Sequence, residues 1–136
     1  MDIMAIKPDA WGSSAWKFLH YTALAYPENP TEEDKKNYMI FFTSLEHVLP
    51  CPTCAKNFKE NLEKFPLEEA LTNNQLLFQW TVNIHNEVNK ELSKKEYSYK
   101  EALDIYINPH KEQYDIIFII GLFILIGFIL FYMNRK

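Results

Sequence analysis

Cys51 and Cys54 stand three residues apart in Pro50-Cys51-Pro52-Thr53-Cys54, a spacing at which two sulfurs can close a small disulfide. Proline suits the first position of a helix, so the Cys51-Pro52 step reads as a helix start. A helix N-terminus stabilises thiolate, the reactive form of cysteine. Cys51, at the outer end, is expected to be the more exposed sulfur, and Cys54, one turn in, the more buried. The same pair could be inert core thiols or half of a metal site. Zinc would need two further ligands, which His20, His47 or His85 would have to supply, and no second paired motif exists. The expectation is therefore redox chemistry and no metal.

A second group is His85-Asn86-Glu87-Val88-Asn89. Residues three and four apart share a helix face, so His85 and Asn89 lie together, as do Asn86 and Asn89. Their amides and imidazole suit the edge of a heteroaromatic ring or a sugar, although a solvated helix face would read the same way. A third group is Trp11-Gly12-Ser13-Ser14-Ala15-Trp16-Lys17-Phe18-Leu19-His20. Two tryptophans, a glycine and a histidine could form a flat aromatic slot for a planar cofactor, or simply core.

The elements that must position these groups are helical. Trp16, Leu19, His20 and Ala23 fall at i, i+3, i+4 and i+7, and Pro27 closes that segment. Thr31 with Glu32, Glu33 and Asp34 starts a second helix, whose stripe is Tyr38, Phe41, Phe42, Leu45 and Val48. A third carries Cys54 or Ala55, Phe58, Leu62 and Phe65. After Pro66 and the Asn73-Asn74 turn, a fourth covers about 75–92 with Leu77, Trp80, Ile84 and Val88 inward. A short fifth covers 99–106. The predicted fold class is all-α: an antiparallel four-helix bundle with a short fifth helix, plus a C-terminal transmembrane helix.

That last helix rests on composition. Ile116–Met133 contains no charged residue, and at helical rise it is ~27 Å long, close to the hydrocarbon thickness of a bilayer. Tyr114 and Tyr132 sit at its ends, where amphipathic rings favour the membrane interface. The expected division is a domain over 1–114, a span over 115–133 and a short basic tail over 134–136. Residues 1–9 lack the apolar core of a signal peptide, so the domain is expected to face the cytosol, although flanking charges leave topology open. The chain of 136 residues carries 14 basic and 18 acidic side chains, and all the acids precede Ile116. Without a basic stripe, no nucleic-acid partner is expected.

Three separated motifs, Trp16-x-x-Leu19-His20, Pro50-Cys51-x-x-Cys54 and His85-Asn86-x-Val88-Asn89, together resemble the Erv/ALR family of FAD-linked sulfhydryl oxidases over roughly residues 11–106. The resemblance implies a helical bundle cradling FAD beside the cysteine pair. It implies Cys51 and Cys54 as catalytic residues and Trp16, His20, Trp80, His85, Asn86 and Asn89 as cofactor contacts. Gly12 and Ser13 fall where the family has a glycine usually followed by arginine, and serine cannot make the same charged contact to phosphate. Lys94 stands where the family places a lysine near the cofactor. A homodimer through the first helices is implied too, which would suit Tyr38, Phe41 and Phe42.

The implied reaction oxidises two thiols of a protein substrate to a disulfide and reduces O2 to hydrogen peroxide. Substrate thiolate attacks Cys51, Cys54 is released as thiolate, and Cys54 then faces the flavin. With two cysteines in all there is no shuttle pair, so the substrate, such as a carrier of thioredoxin type, must reach Cys51 directly. Such a minimal form is similar to those of large DNA viruses, as a viral late protein on a host or virion membrane. Two rivals make the chain a flavin-free thiol-disulfide exchange protein or a non-enzymatic, tail-anchored helical scaffold.

Overall fold

The computed structural model describes residues 6–108 and 111–134. Among them, a 3-10 turn at Pro8–Ala10 is followed by seven α-helices and no strand. These are α1 (Gly12–Leu24), α2 (Glu32–Val48), α3 (Pro52–Lys64), α4 (Leu67–Ala70), α5 (Asn74–Glu91), α6 (Tyr99–Ile107) and α7 (Lys111–Met133). Residues 1–5 and the basic pair Arg135 and Lys136 of the expected tail lie outside the described residues. The chain divides into two compact units, Met1–Ala102 and Leu103–Lys136, with the boundary inside α6.

The helices of the first unit begin where side chains satisfy their free N–H groups. Thr31 Oγ1 accepts from the Asp34 N–H at 3.1 Å, and the Asp34 carboxylate accepts from the Thr31 N–H at 2.8 Å. This reciprocal cap is worth about 1 kcal/mol to α2. Asn73 caps α5 through Leu76 N–H at 2.9 Å, and Cys51 caps α3 with Pro52 behind it.

Cross-helix contacts give an antiparallel register throughout. Trp16 meets His85, His20 meets Thr81, and the Tyr26 hydroxyl donates to the Leu71 carbonyl, so α1 and α5 run in opposite directions. Asn57 bonds Glu91, Lys64 bonds Glu87, and Trp80 bonds the Phe65 carbonyl, so α3 also opposes α5. Phe18 touches Phe41 and Tyr26 touches Tyr38, which sets α2 against α1. The N-terminal ends of α1 and α3 therefore share one end of the bundle with the C-terminal end of α5.

Helix α5 is the central element. Leu77, Phe78, Trp80, Thr81, Val82, Ile84 and Asn89 are all buried along it. Phe42, Ala23, Leu19, Phe58, Leu67 and Ala70 close around these residues. The single-turn α4 was not anticipated; Pro66 starts it, and Leu67 and Ala70, three apart, tuck inward. Val48 departs from the expected stripe and is 66% exposed in the last turn of α2.

In the second unit, α7 contains the 18-residue stretch Ile116–Met133 with mean hydropathy 3.0 and none of it buried. It is long and apolar enough to cross a membrane.

Candidate functional site

Cys51 and Cys54 form a disulfide across the first turn of α3, with Cα atoms 5.1 Å apart. The Cys54 N–H donates to Cys51 Sγ at 3.2 Å. The sulfur of the capping residue thus receives one of the helix's free N–H groups, an arrangement that stabilises negative charge on it. Both cysteines are half-buried, so the expected contrast in exposure is not large. Their directions differ. Cys54 heads the inward stripe that continues through Phe58 and Asn61, whereas Cys51 lies outside the helix proper.

On the α1–α5 side, the Trp16 and His85 rings stack with centroids 4.1 Å apart and planes within 5°. The pair offers a planar outer face, and the Trp16 ring is tilted 32° from the His20 ring, with centroids 5.9 Å apart. His20 is 1% exposed. Its Nε2 lies 3.0 Å from His85 Nδ1 and its Nδ1 lies 2.9 Å from Thr81 Oγ1. Burial, and then the proximity of His85, holds His20 down to about 3, while burial, and then the Lys94 ammonium, holds His85 down to about 4. Both imidazoles are neutral at pH 7.

The remaining residues of the expected site divide. Asn89 is 6% exposed. The Asn86 amide is engaged at both ends by Tyr97, donating to its carbonyl at 2.8 Å and accepting from its N–H at 2.9 Å. It holds the chain that leaves α5. Trp80 meets residues from α2 and the end of α3, with its indole N–H on the Phe65 carbonyl at 2.8 Å and its ring edge-on to Phe42. Gly12 is the first residue of α1, half-buried, with nothing within 4 Å of where a Cβ would stand. Ser13 beside it is exposed. Glu87, which reads in the sequence as a solvated charge, bridges Lys64 of α3 and Lys90, and these two cations hold its carboxyl below the usual range.

Two residues escaped the sequence reading. Thr81 stands four before His85, on the same face of α5, and that spacing was the available signal. Asn61 is 2% exposed and its Nδ2 has no partner among the described residues. An asparagine on the apolar stripe of α3 was the clue to it.

The chain matches a family model described as the Erv1 / Alr family over residues 13–114. It is 46% identical over 100 residues to a probable FAD-linked sulfhydryl oxidase of Acanthamoeba polyphaga mimivirus, covering 73% of this chain and 70% of that protein. It is 39% identical over 83 residues to the FAD-linked sulfhydryl oxidase ERV1 of Arabidopsis thaliana, covering 61% of this chain but 42% of that relative. Among solved structures, the FAD binding domain of Erv1 from Saccharomyces cerevisiae superimposes with a TM-score of 0.67 at 28% identity, over 78% of this chain and 94% of that one.

Proposed function

Since the chain belongs to the Erv1 / Alr family, we propose that the end of the bundle shared by α1, α3 and α5 is the active site of an FAD-linked sulfhydryl oxidase. The observation that carries this reading is the redox pair Cys51–Cys54, set at a helix N-terminus at the same bundle end as the Trp16–His85 face. The surrounding residues fit a large heteroaromatic cofactor. Asn61 Nδ2 is a buried donor lacking an acceptor among the described residues, on the same stripe as Cys54, and Asn89 is a mostly buried amide one turn beyond His85. Trp16, His20, His85 and Asn89 would hold the cofactor, with Lys94 supplying positive charge nearby. Gly12 and Ser13 leave the start of α1 open to it, and Asn86 and Trp80 fix the backbone and core behind it.

The chain's own part in the reaction is thiol-disulfide exchange. A substrate thiolate attacks Cys51 Sγ, the intramolecular S–S bond breaks, and Cys54 departs as a thiolate at the helix N-terminus. The second substrate thiolate then attacks the substrate sulfur of the mixed disulfide. Cys51 leaves as thiolate, stabilised by the Cys54 N–H already aimed at it. The substrate departs as a disulfide, and its two electrons rest on the Cys51–Cys54 dithiol. What FAD supplies when bound is the two-electron acceptor that restores this disulfide and discharges to O2 as hydrogen peroxide.

With α7 in a membrane, oxidation would be confined to thiol proteins at one membrane surface, on the cytosolic side of a host or virion membrane. A thioredoxin-type carrier is small enough to present its dithiol directly to Cys51. A homodimer would bury Phe18, 59% exposed on α1, and Ile40, 56% exposed on α2. Phe42 is fully buried within the bundle and would take no part in that contact.

The test is spectroscopic and kinetic. The full chain purified in detergent should show flavin absorption near about 450 nm and consume O2 with dithiothreitol. Cys54→Ser should keep the flavin and lose at least about a hundredfold in turnover, since its sulfur reacts but does not hold the cofactor. A colourless protein that still exchanges disulfides would make the chain a flavin-free exchange protein instead.

A further inference from the structure

The proton positions around His85 follow from one hydroxyl. Thr81 Oγ1 lies 2.7 Å from the Phe78 carbonyl and 2.9 Å from His20 Nδ1. A carbonyl oxygen can only accept, and a hydroxyl has one proton, so that proton goes to Phe78. Thr81 must then accept from His20, and Nδ1 of His20 carries the hydrogen. A neutral imidazole has one N–H, so His20 Nε2 is an acceptor, and the 3.0 Å contact to His85 requires His85 Nδ1 to be the donor. His85 Nε2 is left with its lone pair and has no partner among the described residues. The stack on Trp16 fixes the plane in which that lone pair points.

We propose that Thr81 is a positioning residue that sets, through His20, the tautomer of His85, so that the site presents an imidazole acceptor and selects a donor on the bound cofactor. The inference rests on the FAD reading above for the identity of the ligand, but not for the tautomers. Neutrality of both rings agrees with their burial. The Asn89 amide, one turn beyond His85 on the same face of α5, can pair in either sense and imposes no opposite demand. The donor is either a ring N–H or ribityl hydroxyl of the flavin half, or a ribose hydroxyl or adenine amine of the nucleotide half.

Without the Thr81 oxygen, the His20 proton is better placed on Nε2, where it donates to His85 Nδ1. His85 then carries its own proton on Nε2 and turns from acceptor to donor. A donor facing a donor in a part-buried site should weaken binding roughly tenfold. The experiment uses the full chain in detergent, with 15N-labelled histidine. In the cofactor-free wild type, His85 Nε2 should give an unprotonated-type 15N shift and Nδ1 a protonated-type one. Thr81→Val, similar in shape, should exchange the two, and Thr81→Ser should restore the wild-type pattern. A wild type with the protonated-type shift on Nε2, or a Thr81→Val spectrum unchanged at His85, overturns the relay whether or not FAD binds.

Binding of FAD, FMN and ADP is then measured by fluorescence or calorimetry for the three proteins. A tenfold loss in Thr81→Val, rescued by Thr81→Ser, is expected for FAD and for whichever of FMN and ADP bears the donor. Equal affinities for all three ligands across the variants overturn the selection of a donor. Failure of the wild type to bind FAD counts against the oxidase reading, while the shifts of the cofactor-free protein still decide the relay.

Discussion

His20 and His85 are held at about 3 and about 4, whereas a histidine in the unfolded chain takes up its proton near about 6.5. Between these values the unfolded state binds more protons than the folded one, so stability is present above about pH 6.5 and is lost as pH falls. For fully buried His20 the loss is on the order of 2 kcal/mol at pH 5. The urea midpoint of the cofactor-free chain should therefore fall between pH 6.5 and 5, and His20→Gln should flatten that fall. Identical slopes in the two proteins would show that His20 does not titrate as described. The motif histidines and cysteines are legible in the sequence because their types and spacing are distinctive. Thr81 is not, because a threonine on an apolar face looks like core until a histidine from another helix meets it.

Among the elements, the C-terminus of α5 carries the clearest local strain. Ser93 has φ 53°, in the left-handed region, while the Lys94 N–H reaches back to the Asn89 carbonyl at 2.8 Å. That cap normally uses glycine, which adopts the conformation without a Cβ penalty. Ser93→Gly should thus raise stability by roughly 0.5–1 kcal/mol, read as a higher thermal midpoint with unchanged helix content. An unchanged or lower midpoint would show that the cap is not strained. The helices were readable from apolar spacing and their caps, including the start of α3 at Cys51-Pro52. The inward turn of α4 was not, because four residues carry too little periodicity. The clamp of Glu87 between Lys64 and Lys90 was also hidden, since it depends on how α3 lies along α5.

For the whole molecule, α7 is long and apolar enough to cross a membrane, and a membrane there would set where any chemistry occurs. A stretch with mean hydropathy 3.0 and no charge should keep the full chain in the membrane fraction through alkaline carbonate and release it only with detergent. Recovery in the soluble fraction would remove the membrane from the proposal. Composition alone determined this apolar span, and residue spacing alone determined the helical class and brought Cys51 and Cys54 within bonding reach. Those properties are local, set by a few covalently neighbouring residues and the pitch of a helix. Only the tertiary structure decided that Trp16 closes on His85, that Asn86 serves the backbone of Tyr97, and that Asn61 Nδ2 is buried without a partner among the described residues. Proton placement and pairing depend on ångström-scale register between α1, α3 and α5, which the chain acquires only when the buried face of α5 packs against its neighbours.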